Sequence, residues 1–299
     1  MNAPAPASLT DQFIDLDGPL RVIDHGGEGP TAVLVHGLGG SSENWLALVT
    51  PLKAQHRVFT LDLPGFGLSP PGARRTEVGH YARLVARLIA RLPGGRATVF
   101  GNSMGGMIAV LTAALAPAAV DAAVLLNPAV PNFSLRHLDP KVASVFALYA
   151  VPGVGEWFTA RAARTTPPEE ALAWFLKLCG LEPTALPPEL WAQHLQVAKI
   201  RRGYPWANPS FLRATRSILR LNTWPWALLR EAHAVTAPVL LLHGGRDRLV
   251  PVESAREMAR RLPAWRYVEL APLGHTPMLE APETVIAHYD AWRRGLDIR

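Results

Sequence analysis

Short aliphatic runs alternate with helical patterns over the first 130 residues of this 299-residue chain, stop between Pro131 and His233, and then resume. The early runs are FIDL, LRVID, TAVLVH, RVFTLD, ATVFG and AAVLLN, with helical patterns at 42–54, 77–92 and 103–116. Aliphatic strands spaced by amphipathic helices pack as a mostly parallel sheet covered on both faces. The first two runs are joined by Asp-Gly, which reads as an antiparallel hairpin at the sheet edge. After the break come APVLLLHGG, RYVEL and a closing helix at 280–294. The expectation is an α/β fold with eight strands, formed by residues 1–130 and 234–299.

The break has a texture of its own. Residues 131–233 lack strand-like runs, contain 11 prolines between helical stretches, and hold six of the nine tryptophans. They read as an inserted helical cap. The apolar stretch 107–131 is long enough to cross a membrane, but Pro117 and Asp121 divide it into a core helix and a core strand. No integral membrane segment and no secretory signal is expected, so a cytoplasmic location is the default.

Charge excludes one function class. The net charge of +6 comes from 26 arginines and 4 lysines that are scattered, never more than two together. Nucleic-acid binding surfaces show clustered basic tracts or basic residues interleaved with aromatics, so no nucleic-acid partner is expected. Cys179 lies in an apolar helical pattern and reads as a small buried hydrophobe. No metal-ligand cluster or phosphate-cradling glycine loop is present, so neither metal nor organic cofactor is expected.

One strand leads into chemistry. ATVF runs into GNSMGG and then into the helix MIAVLTAAL, which puts Ser103 on a tight turn at a strand's carboxyl end. Gly101 and Gly105 leave room for that turn. A serine hydroxyl needs a base, and the base needs an orienting acid. His275 follows the strand RYVEL and Asp247 follows the strand VLLLHGG, so both stand on loops at the edge where Ser103 lies. The other acid position, after AAVLLN, is Asn127, which cannot balance an imidazolium. His25, His56, His80, His137, His194, His233, His243 and His288 have no loop context facing Ser103.

The motifs HGLGG (36–40), DLPGFGLS (62–69), GNSMGG, GGRDRLVP (244–251) and GHTPMLEAPE (274–283) together resemble the α/β-hydrolase superfamily over nearly the whole chain. The resemblance implies the triad Ser103, Asp247 and His275 in the superfamily's chain order, and acyl transfer through an acyl-enzyme. It implies an oxyanion hole from the backbone N–H groups of Leu38 and Met104, with Gly37 and Gly39 letting the loop approach the ligand and His36 bracing it. The expected activity is a serine carboxylesterase of the lipase-like branch. Trp157 and Trp224 are expected to line a pocket for a small hydrophobic ester, with a medium-chain acyl group, in a monomer or homodimer.

Ser103 sets the chain apart from relatives that use an aspartate nucleophile, such as epoxide hydrolases and haloalkane dehalogenases. GNSMGG also resembles hydrolases that cleave carbon–carbon bonds in ring-fission products. Those carry Pro-Gly in the oxyanion loop and tryptophan after the catalytic histidine, where this chain has HGLGGSS and GHTP. That reading ranks second, ahead of a ligand receptor without turnover. Acyl transfer to an alcohol or peroxide would use the same residues.

Overall fold

The computed structural model describes residues 10–131 and 137–296. The N-terminal tail read for a signal and the first residues of the helical insertion, 132–136, lie outside the described residues. Eight strands form one sheet: β1 (Thr10–Asp15), β2 (Pro19–Asp24), β3 (Thr31–Val35), β4 (Arg57–Leu61), β5 (Ala97–Asn102), β6 (Val120–Leu126), β7 (Val239–Gly244) and β8 (Arg266–Leu270). Their spatial order is β1-β2-β4-β3-β5-β6-β7-β8. β2 runs antiparallel to both neighbours, and every pairing from β4 to β8 is parallel. The expected edge hairpin is there, turning through Asp17 (φ 59°) and Gly18 (φ 124°).

The continuous aliphatic runs have a simple cause, because both sheet faces are covered. Along β3, Val33 and Val35 point into one apolar cluster, while Ala32 and Leu34 point into the other. Helices α1 (Leu46–Lys53) and α12 (Pro282–Arg294) cover one face through Leu48, Leu52, Val285 and Tyr289. Helices α2 (Val78–Ile89), α3 (Met104–Leu115) and α10 (Val252–Arg261) cover the other through Val85, Ile108 and Met258. The 107–131 stretch divides as expected into α3 and β6, and among the described residues no single helix is long and apolar enough to cross a membrane.

Two boundaries differ from expectation for local reasons. The helix expected at 42–54 opens with a 3₁₀ turn, Ser42–Trp45, before α1 begins. The helix expected from 280 is two pieces, α11 (Pro277–Glu280) and α12, divided at Ala281 and Pro282. Among the described residues between β6 and β7 run six α-helices: α4 (Pro140–Ala150), α5 (Val154–Thr165), α6 (Pro168–Leu178), α7 (Pro188–Arg202), α8 (Ala207–Thr223) and α9 (Pro225–His233).

Strand order locates the crevice. β3 lies between β4 and β5, so the chain leaves β3 toward one face and β5 toward the other. Loops after two such strands diverge and open a cleft at their carboxyl ends, which is where open α/β sheets place ligands. Here those loops are HGLGG and GNSMGG.

Candidate active site

Ser103 links β5 to α3 with φ 53° and ψ −116°, a conformation that costs a non-glycine residue about 1–3 kcal/mol. Its backbone is held in place by four hydrogen bonds. The N–H donates to Leu126 O at 3.1 Å, and the carbonyl accepts from Gly106, Met107 and Ala129 at 3.0, 3.2 and 2.9 Å. The crowding of glycines around this serine follows from contact distances. A methyl on Gly101 would lie 2.3 Å from Gly105 O, and one on Gly105 would lie 2.0 Å from Val35 O. One on Gly106 would lie 2.6 Å from the Pro128 side chain. Backbone approach, with no side chain between, lets the turn sit on β3.

His275 Nδ1 donates to Asp247 Oδ2 at 2.7 Å, and both residues are buried. Nδ1 therefore carries the proton, and Nε2 is left to accept one. The other carboxylate oxygen, Oδ1, accepts from the backbone N–H of Leu249 and Val250 at 2.8 and 2.9 Å. Burial opposes ionisation of Asp247, but the charge and hydrogen bond of His275, with help from His243 and the Val250 N–H, hold its carboxyl below the usual range. Asp247 is thus a fixed anion aimed at one imidazole edge.

Several groups around this pair were given no role by the sequence. Asn127, read only as a missing carboxylate, donates to Asp247 Oδ2 at 2.7 Å and to Gly274 O at 3.0 Å. His243, read as having no loop context facing Ser103, has Nε2 at 3.4 Å from Asp247 Oδ2 and donates to Val250 O at 2.9 Å. Burial lowers its pKa, so it is neutral at pH 7. Glu280 closes the histidine loop from below, accepting from Gly274 N at 2.6 Å and Thr276 N at 2.9 Å. A short-range signal for Glu280 existed, since it stands five residues past His275 across one turn of helix. The contacts of Asn127 span 120 and 147 residues and had no such signal.

The serine turn and the histidine loop are tied directly. Asn102 Nδ2 donates to Leu126 O at 3.0 Å and to His275 O at 3.1 Å. On its other side the His275 N–H donates to Cys179 O at 2.8 Å, at the end of α6. Cys179 is buried, and burial pushes its thiol well above the ordinary value, so its side chain is an inert packing group. Its carbonyl holds the histidine loop.

The HGLGG loop lies against the same turn. A methyl on Gly37 would be 3.1 Å from Ser103 Cβ, a tight contact to which the turn would have to yield, so glycine eases the close passage of the loop. His36 Nδ1 donates to Gly37 O at 2.7 Å and Nε2 accepts from Leu63 N at 3.0 Å. Burial lowers the His36 pKa to about 4, so this ring is a neutral brace. Met104 is the first residue of α3, where helical N–H groups have no partner within the helix. Leu38, Gly39, Gly40 and Ser103 keep partial exposure among buried neighbours.

Residues from α6 and α8, other than the expected tryptophans, lie beside this loop. Phe211 of α8 and Phe175 of α6 are the side chains nearest Gly39, 3.5 and 3.9 Å from where its Cβ would be. Tyr149 packs edge-on against Phe211 with ring centroids 5.2 Å apart. Trp157 and Trp224 are 61% and 70% exposed, and neither supplies the atoms nearest Gly37, Gly39 or Gly40. Among the described residues there is no group of three or more His, Cys, Asp or Glu side chains that could hold a metal.

Comparison with known proteins agrees with this architecture. The family model of the alpha/beta hydrolase fold matches residues 30–282. Among curated proteins, the pimeloyl-[acyl-carrier protein] methyl ester esterase of Nitrosomonas europaea is 29% identical over 90% of this chain and 98% of its own. The protein of the same name from Aromatoleum aromaticum is 31% identical over 85% of this chain and 94% of its own. Among solved structures, a membrane phospholipase A superposes with a TM-score of 0.65 at 26% identity, covering 97% of this chain and 87% of its own.

Proposed function

The chain belongs to the α/β-hydrolase family and is a carboxylic ester hydrolase, and we propose that Ser103, His275 and Asp247 are its catalytic triad. The observation that carries this reading is the 2.7 Å His275–Asp247 pair, held through Asn102 to the turn that bears Ser103. Ser103 Oγ attacks the ester carbonyl while His275 Nε2 takes its proton, and Asp247 stabilises the resulting imidazolium. The backbone N–H groups of Leu38 and Met104 donate to the oxyanion. Collapse breaks the ester bond, with His275 returning the proton to the departing alcohol. Water, deprotonated by the same histidine, then releases the acid and restores Ser103.

The substrate is an ester with an apolar acyl chain. Phe175, Phe211 and Tyr149 support this, because they bring aromatic surface from the insertion to the oxyanion loop, so that α4–α9 act as a cap over the cleft. Each methylene buried there contributes up to about 0.8 kcal/mol, or roughly fourfold in kcat/KM. On a series of p-nitrophenyl esters, kcat/KM rises from acetyl to about hexanoyl or octanoyl and then falls as the chain outgrows the cleft. A steady decline from acetyl onward would contradict the apolar pocket.

A further inference from the structure

We infer that the apex joining α4 to α5 is a docking surface for an anionic lipid bilayer. Helix α4 ends at Ala150 and α5 begins at Val154, with the two axes bent by 109°. Within residues 148–157, Leu148, Val151, Val154 and Trp157 are 38%, 49%, 39% and 61% exposed. The inner side of the pair is already used. Tyr149 packs against Phe158 and Phe211, and Arg216 of α8 donates to Tyr149 O at 3.1 Å and to Val151 O at 3.2 Å. The apolar side chains at the apex are therefore turned outward on an anchored element, where solvent exposure is unfavourable.

Charge identifies the occupant. Residues 140–165 contain one acid, Glu156, which is neutralised by Arg216 at 2.8 and 3.0 Å. They contain three cations, Lys141, Arg161 and Arg164. The Arg161 guanidinium stands 6.0 Å over the Trp157 ring, at the border of the apolar apex. Aliphatic side chains flanked by tryptophan, with arginine behind it, match the layers of a membrane surface: acyl chains, the interfacial zone and anionic headgroups. The four exposed side chains present at most a few hundred Å², whereas a stable protein interface buries about 800 Å² per partner. A convex apex of that size suits a deformable bilayer.

The test is flotation of the full chain with phosphatidylcholine vesicles that contain either no phosphatidylglycerol or roughly 30% of it. The native protein floats with the anionic vesicles, and less so as salt is raised. Val151→Glu combined with Val154→Glu lowers the bound-to-free ratio at least tenfold while leaving turnover of soluble p-nitrophenyl butyrate unchanged. If that variant fails to fold, Arg161→Gln combined with Arg164→Gln reads the electrostatic half alone and lowers anionic-vesicle binding several-fold. Absence of flotation by the native protein, or equal flotation by the folded variants, would overturn the assignment. So would a native dimer in sedimentation velocity that the glutamate variant dissolves, because the apex would then bind a second copy. Flotation involves no ester chemistry, so its failure leaves the hydrolase reading standing.

Discussion

Ser103→Ala lowers kcat for ester hydrolysis by about 10⁴- to 10⁶-fold, while the circular dichroism spectrum keeps its native shape. The magnitude follows from the proposed role, in which without the hydroxyl no acyl-enzyme forms and only binding and the proposed oxyanion donors remain. The stability effect depends on which small residue is used. At φ 53° alanine carries the same backbone strain as serine, whereas glycine does not. Ser103→Gly is therefore equally inactive but more stable than Ser103→Ala by about 1 kcal/mol, read from the midpoints of urea unfolding. A serine variant that kept more than about a hundredth of native activity would remove this hydroxyl from the mechanism.

Asp247→Asn is the second large effect, with kcat expected to fall about 10⁴-fold. The surrounding donors dictate how an asparagine would sit. Leu249 and Val250 both present N–H groups to Oδ1, which fixes the amide oxygen there and leaves the NH₂ group facing His275 Nδ1 and Asn127 Nδ2. Two donors then oppose the incoming amide. His275 must shift its proton to Nε2 to accept from the amide, and Nε2, the proposed base for Ser103, can no longer take a proton. The Asn127 amide loses its acceptor as well, so thermal stability falls together with activity. KM changes little, because no substrate contact is removed. An Asp247→Asn enzyme within tenfold of native kcat would show that another group orients the imidazole.

The parts of this site that could be read from the sequence are those set by local pattern. A strand followed by Gly-Asn-Ser-Met-Gly and a helix specifies a turn at the sheet's carboxyl edge, and the loops after β7 and β8 reach that same edge because the strands are parallel. The backbone then had to bring His275 and Asp247 together, and it does so at 2.7 Å. The supporting contacts were not readable, because they depend on register across the sheet. Asn127 follows β6, whose Leu126 pairs with Leu242 of β7, and this register sets its amide beside Asp247 and Gly274. The Cys179 carbonyl is invisible in principle, since any residue type could supply it. The packing of the aromatics between β6 and β7 was not readable for a related reason. Large aromatics mark where burial is available, but the helices there turn Phe175 and Phe211 toward the loop and leave Trp157 and Trp224 outward.

The buried ionic group beneath the loops shows how distant residues hold the cleft in shape. Arg21 on β2 donates to Glu43 and Asp62 at 3.0 Å each, and Asp62 accepts from Ser42 N at 2.7 Å and Leu68 N at 2.8 Å. Ser42 and Glu43 stand two and three residues after HGLGG, while Asp62 opens DLPGFGLS. One guanidinium therefore ties together the two loops on the β3–β4 side of the cleft, and their glycine-rich segments can stay open without losing position.

The central claim is that Ser103 is the acylated nucleophile, and trapping the covalent intermediate tests it most directly. The native protein and Ser103→Ala are each treated with a fluorophosphonate, and the adduct is located by intact mass and peptide mapping. A single adduct on the peptide carrying Ser103, absent from the alanine variant, is the expected result. An adduct on another residue, or unlabelled native protein that still hydrolyses esters, would contradict the account.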